Sequence, residues 1–124
     1  MHNYISLLGL GNFISCSQSA KMFYEDGIQM IKFIIIDDEP YVTSLFSTIL
    51  DWKSFDFELV GTFSSGNEAM IWLEQHECDV IFTDICMPDM TGTEIAMHCY
   101  RNSPQILIVF FSAHRNFDYA LDAI

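Results

Sequence analysis

The sequence predicts an α/β domain, a doubly wound parallel sheet with helices on both faces. Three observations carry that prediction. From residue 32 onward, short apolar runs alternate with stretches of helical periodicity. The runs are almost wholly apolar rather than alternating in polarity, as expected for strands buried on both faces. Two of them, Ile34-Ile35-Ile36 and Val80-Ile81-Phe82, stop abruptly at carboxylates.

In order, Lys32–Asp37 reads as the first strand of the pattern. Glu39–Trp52 follows as a helix, with Val42, Leu45, Phe46, Ile49 and Leu50 at helical spacing and Pro40 tolerated in the first turn. Glu58–Phe63 is a second, shorter strand. Gly66-Asn67-Glu68 opens a helix to about Glu77, with Ala69, Met70, Leu73 and His76 on one face. Asp79–Asp84 is the third strand, and Gly92–Arg101 the helix after a turn at Pro88 and Asp89. Asn102-Ser103-Pro104 ends that helix, Ile106–Ser112 forms a fourth strand, and Asn116–Ile124 begins a fourth helix. No repeat or low-complexity tract interrupts this order.

At 124 residues the chain allows one domain, and 51% hydrophobic residues provide ample core. Seventeen acids against five bases give a formal net charge of −12. The bases Lys21, Lys32, Lys53, Arg101 and Arg115 are scattered, so nothing neutralises a phosphate backbone and direct nucleic-acid binding is not expected. Cys16, Cys78, Cys86 and Cys99 have no C-x-x-C spacing, which argues against zinc and suits free thiols in a reducing compartment. Cys78 and Cys99 read as core filling. No stretch is long enough to span a bilayer, and Tyr4–Ile14 lacks the basic start of a signal peptide and contains Gly9 and Gly11. The chain therefore reads as cytoplasmic.

Residues 1–29 fall outside the alternating pattern. They show no clear strand and one loosely amphipathic stretch, Phe13, Cys16, Ala20, Phe23 and Tyr24. Met30 reads as a domain start, with residues 30–124 as the domain. One reading of the extension is that translation starts at Met30, Glu25-Asp26-Gly27 being encodable by a purine-rich, ribosome-binding-like stretch. The other is that Phe13–Tyr24 forms a helix over a bare sheet face.

In a parallel sheet, Asp37, Asp38 and Asp84 would converge at the strand-end crevice where open α/β folds bind ligands. Three carboxylates so placed repel one another unless a hard cation sits among them, which points to a metal-assisted site centred on a carboxylate. The plain alternative is that Asp37-Asp38-Glu39 only caps the following helix. A second strand delivering Asp84 to the same crevice weighs against it. Met87-Pro88 removes a backbone donor and imposes an extended turn, and Gly92 offers a position free of side-chain restriction. That loop could turn a carbonyl toward a cation. Ser112, ending the fourth strand, would face the same crevice. His2, His76, His98 and His114 have no ligand spacing, and His76 and His98 read as helix-face residues.

Asp37-Asp38-Glu39, Asp84-Ile85-Cys86-Met87-Pro88-Asp89-Met90-Thr91-Gly92 and Ser112-Ala113 together resemble the receiver domain of two-component response regulators. The middle segment matches that family's D-x-x-M-P-x-x-x-G form, and Asn116-Phe117-Asp118-Tyr119-Ala120 resembles receivers linked to AraC-type output domains. The resemblance implies a flavodoxin-like fold and a non-enzymatic, cytoplasmic signalling module. Asp84 would be the phosphoacceptor, taking a phosphoryl group from the phosphohistidine of a sensor histidine kinase. Asp38, Asp84 and the backbone carbonyl of Cys86 would bind Mg²⁺, with Asp37 acting largely through water. Ser112, with Ala113 beside it, would contact the phosphoryl group, and the resemblance leaves room for a receiver–receiver dimer. A haloacid-dehalogenase-type phosphatase fits less well, because neither acidic motif supplies D-x-D-x-T.

The chain departs from the family in one respect. The family's phosphate-binding lysine ends a fifth strand, and here no lysine follows Lys53. The resemblance thus implies four strands, with the fifth strand and fifth helix missing. Ile106–Phe111 is then expected as an unprotected apolar edge, and phosphotransfer as impaired. A phosphorylation-independent interaction module, or a non-functional fragment, is the alternative.

Overall fold

The computed structural model describes residues 4–8, 12–13, 23–24 and 27–111, with side chains described from residue 29 onward. Its main sheet holds β1 (Tyr4–Leu8), β2 (Asn12–Phe13), β5 (Ile31–Ile36), β6 (Phe57–Phe63), β7 (Val80–Asp84) and β8 (Leu107–Phe111) in the order β2-β1-β8-β7-β5-β6. A separate two-stranded sheet pairs β3 (Phe23–Tyr24) with β4 (Gly27–Ile28). The four strands expected from the alternating pattern are β5, β6, β7 and β8. All pair in parallel, as the expected doubly wound, flavodoxin-like sheet requires.

The helices α1 (Pro40–Thr48), α2 (Gly66–Leu73) and α3 (Gly92–Asn102) connect these strands. One face of the sheet, with Ile34, Ile36, Ile81, Ile108 and Phe110, packs against Ala69 and Met70 of α2 and Ile95 and Cys99 of α3. The other face, with Phe33, Ile35, Val80, Phe82, Leu107 and Val109, packs against Phe46 of α1 and against Trp52. This second layer is aromatic: Phe46 stacks on Trp52 and on Phe111, each with ring centroids 5.3 Å apart.

Helices α1 and α2 stop earlier than their periodicity predicts. Helix α1 ends at Thr48, and Trp52–Phe55 forms a separate 3-10 turn that brings the Trp52 indole N–H to the Phe46 carbonyl at 3.0 Å. The cause is local: Thr48 Oγ1 bonds back to the Ser44 and Leu45 carbonyls, a competition that disfavours helix propagation. Leu45 within α1, and Ile49 and Leu50 beyond its end, are exposed rather than core-facing. Helix α2 ends at Leu73, and His76 lies beyond it, stacked on Trp72 at 4.4 Å.

The N-terminal residues depart further from expectation. They contain strands: β1 lies parallel to β8, pairing Tyr4 with Ile108 through Leu7 with Phe111. The edge expected to be bare is therefore occupied, by the segment Tyr-Ile-Ser-Leu-Leu. A helix over Phe13–Tyr24 is not formed at either end, since Phe13 belongs to β2 and Phe23–Tyr24 to β3. Residues 14–22 of that expected helix, Ser112, Ala113 and the expected helix at 116–124 lie outside the described residues.

Candidate metal centre

The chain passes from β5 outward to β6, then returns to place β7 on the other side of β5. The C-terminal ends of β5 and β7 thus flank a topological switch point, where such sheets open a crevice. Ile36 pairs with Thr83, so the next residue on each strand, Asp37 and Asp84, meet at that opening. One carboxylate oxygen from each of Asp37, Asp38 and Asp84 lies within 4.8 Å of the others. Asp37 and Asp84 are buried, with relative exposures of 3% and 6%, while Asp38 is exposed and opens the cluster to water.

Backbone donors orient the two buried carboxylates. Asp37 Oδ1 accepts the Glu39 N–H at 2.8 Å, and Asp84 Oδ1 accepts the Ile85 N–H at 2.7 Å. The helix-capping alternative is thereby partly met for Asp37. Glu39 itself is the N-cap of α1 and makes no side-chain cap. Capping does not account for the burial of Asp37. Burial pushes its pKa up from 3.8 to about 6, against the Glu39 hydrogen bond, with added repulsion from Asp84, Asp38 and Glu39.

The segment after Asp84 is pinned by several means. Met87 is buried in the α2/α3 layer of the core, while Cys86 and Pro88 on either side are exposed. Gly92 is needed for close approach: its N–H reaches the Ile85 carbonyl at 2.8 Å, and a Cβ there would run into the Asp84 carbonyl. Asp89 reaches across to α2, accepting the Asn67 N–H at 3.1 Å. Desolvation works to raise the Asp89 pKa, but hydrogen bonds from Asn67, Ser65 and Met90 outweigh it and lower it. Thr91 and Glu94 form a reciprocal capping box at the start of α3, and Ser65 caps α2 through the Glu68 N–H. Both caps have a legible signature, Thr91-x-x-Glu94 and Ser65-x-x-Glu68, that hydrophobic periodicity alone passes over.

The chemistry of this donor set is that of a hard-cation site. It offers three carboxylate oxygens, no sulfur or imidazole, and one solvent-facing side on which a small cation can keep its waters. Among the described residues this is the one group of three or more metal-ligating side chains. Cys78 and Cys99 are buried thiols elsewhere in the core, as expected for core filling.

Comparison with known proteins agrees with this architecture. The family model for the response regulator receiver domain matches residues 33–124. The regulatory protein LuxO of Vibrio cholerae is 32% identical over 90 residues, covering 73% of this chain and 19% of that protein. The uncharacterized transcriptional regulatory protein YesN of Bacillus subtilis is 28% identical over 95 residues, covering 77% of this chain and 26% of its own. This chain thus spans about a quarter or less of those two relatives. Among solved structures, the receiver domain of the response regulator AraT from Geobacillus stearothermophilus superposes with a TM-score of 0.71 at 28% identity, covering 77% of this chain and 74% of that one. A two-component transcriptional regulator AraC from Clostridium phytofermentans gives 0.70 at 26% identity, covering 76% and 73%. With its parallel sheet, its acidic strand-end crevice and this match over most of its length, the chain belongs to the response regulator receiver domain family.

Proposed function

We propose that this chain is the phospho-accepting module of a two-component phosphorelay, with Asp84 as the acceptor. The observation that supports this best is the convergence of buried Asp84 and Asp37 with exposed Asp38 within 4.8 Å at the switch point of the sheet. An Asp84 carboxylate oxygen attacks phosphorus, the P–N bond of a kinase phosphohistidine breaks, and the departing imidazole takes up a proton. The Ile85 N–H, donating to Asp84 Oδ1, orients the carboxylate for that attack.

The carboxylates of Asp37, Asp38 and Asp84, with the backbone carbonyl of Cys86, are the residues that would hold Mg²⁺. When bound, Mg²⁺ supplies positive charge to the carboxylates and to phosphoryl oxygens. Ser112 and Ala113 follow β8 directly and are proposed to meet the phosphoryl group. Met87, Pro88 and Gly92 hold the loop. The partners are a sensor histidine kinase and, through receiver–receiver pairing, a second receiver. No helix among the described residues is long and apolar enough to cross a membrane, and we place the module in the cytoplasm.

Incubation with a small phosphodonor and Mg²⁺, followed by intact mass measurement, tests the reading. The chain should gain one phosphoryl group, Asp84→Asn should not, and chelation should abolish labelling. Labelling that persists in Asp84→Asn, or none under conditions that label another receiver domain, overturns it.

A further inference from the structure

Among the described residues, three polar or charged side chains are buried: Asp37, Asp84 and Thr83. The first two belong to the carboxylate cluster. Thr83, fully enclosed, lies between the apolar run Val80-Ile81-Phe82 and Asp84 on β7. It stands on the same face of the sheet as Ile81, the face covered by α2 and α3. Valine would suit that place as well as threonine does, because both are β-branched and of nearly the same shape. The hydroxyl adds little to stability, since the cost of burying it cancels most of what its hydrogen bond returns. What it adds is direction.

Thr83 Oγ1 donates to the backbone carbonyl of Asp84 at 2.9 Å. That carbonyl and the Ile85 N–H are the two ends of one planar peptide group, so fixing one fixes the other. The Ile85 N–H in turn donates to Asp84 Oδ1 at 2.7 Å. A hydrogen bond accepted by a carbonyl also polarises its peptide and strengthens the N–H as a donor. Gly92 abuts the same Asp84 carbonyl, and its own N–H holds the carbonyl of the next peptide, at Ile85, at 2.8 Å. A side-chain hydroxyl and the start of α3 thus pin the one peptide group that orients the Asp84 carboxylate.

We propose that Thr83 is a positioning residue for the acceptor: its buried hydroxyl sets the Asp84–Ile85 peptide plane and, through the Ile85 N–H, the orientation of the Asp84 carboxylate. The inference deepens the reading of Asp84 as phosphoacceptor and rests on it. Thr83 acts through the peptide and not on the phosphoryl group.

The full chain is compared with its Thr83→Val and Thr83→Ser variants. Two quantities are read: the labelling rate with acetyl phosphate at saturating Mg²⁺, by intact mass, and the Ile85 amide proton shift without phosphodonor. Thr83→Ser keeps the hydroxyl and should match the parent in both. Thr83→Val keeps the shape but not the donor; its labelling should slow about five- to tenfold, the loss of one orienting hydrogen bond, and its Ile85 amide should move upfield. Should Thr83→Val not fold, Thr83→Ala, which lacks the hydroxyl and leaves space, carries the same expectations. Labelling of the hydroxyl-free variant at the parent rate overturns the proposal, whatever its midpoint in urea. So does an Ile85 amide that does not move, and so does a serine variant as slow as the valine one, which would trace the effect to packing. A parent that takes up no phosphoryl group sinks the acceptor reading; the Ile85 shift, which needs no phosphodonor, then decides whether Thr83 positions the carboxylate.

Discussion

Replacing Asp37 by Asn should stabilise the cation-free protein and weaken its response to Mg²⁺. Asp37 and Asp84 are both buried and have carboxylate oxygens within 4.8 Å. At an effective dielectric of about 20, unit charges at that distance repel by about 3 kcal/mol. Water reaching the cluster at exposed Asp38 screens part of this, leaving an expected gain of about 1–2 kcal/mol. The amide oxygen of Asn still accepts the Glu39 N–H, so that hydrogen bond survives. The sign with pH follows from the raised pKa of about 6 against 3.8. The folded form holds this proton more tightly, so the wild-type side chain becomes progressively less favourable from about pH 4 to pH 6 and stays so above. The gain in Asp37→Asn should therefore be absent at pH 4 and complete at pH 8. Thermal unfolding in chelator at pH 8 should give the variant a Tm higher by roughly 5–10 °C. Mg²⁺ at ten times its Kd should then stabilise the wild type by about 1.4 kcal/mol and the variant by less. A variant less stable than wild type in chelator, or equal Mg²⁺ shifts in both proteins, would refute the reasoning.

Three further outcomes follow from the geometry around the site. Gly92→Ala should destabilise by about 1–3 kcal/mol and slow phosphorylation, because the new methyl must displace the Asp84 carbonyl. Helix propensity alone gives the opposite sign, so an alanine variant that unfolds at higher urea would sink this account. Thr91→Ala should cost about 1 kcal/mol in urea unfolding, through loss of the cap on the Glu94 N–H; an unchanged midpoint would deny the capping box an energetic role. Finally, burial pushes the Cys78 and Cys99 thiols up to about 12 and 11, whereas Cys86 is exposed. A maleimide at pH 8, followed by peptide mapping, should modify Cys86 well before either buried thiol; adducts on Cys78 or Cys99 at the Cys86 rate would contradict the burial.

The central part of the fold was legible because its signals are local. Ile34–Ile36 and Val80–Phe82 are too apolar to be anything but buried, and an acid follows each within two residues, so parallel pairing alone brings Asp37 near Asp84. Other features depended on information that periodicity does not carry. Leu45, Ile49 and Leu50 have the spacing of a core-facing stripe, yet α1 meets the sheet through Phe46 and leaves those three exposed. A glycine pattern suggests backbone freedom, but Gly92 is required by the closeness of the Asp84 carbonyl, a contact between distant parts of the turn. Strand β1 was invisible for the same reason. Five residues of mixed pattern have no strand identity until β8 offers them an edge.

That pairing also orders events in time. Tyr4 finds its partner about a hundred residues later, at Ile108, so the earlier segment waits for the later one. At about 5–20 residues per second, the interval on the ribosome is roughly 5–20 s. Throughout it, Tyr-Ile-Ser-Leu-Leu is an uncharged nascent strand without its template, while β5, β6 and β7 can already assemble. Such long-range closure is slow for entropic reasons as well. The chain's exposure to misassociation is therefore set by the pace of translation as much as by the stability of the finished sheet.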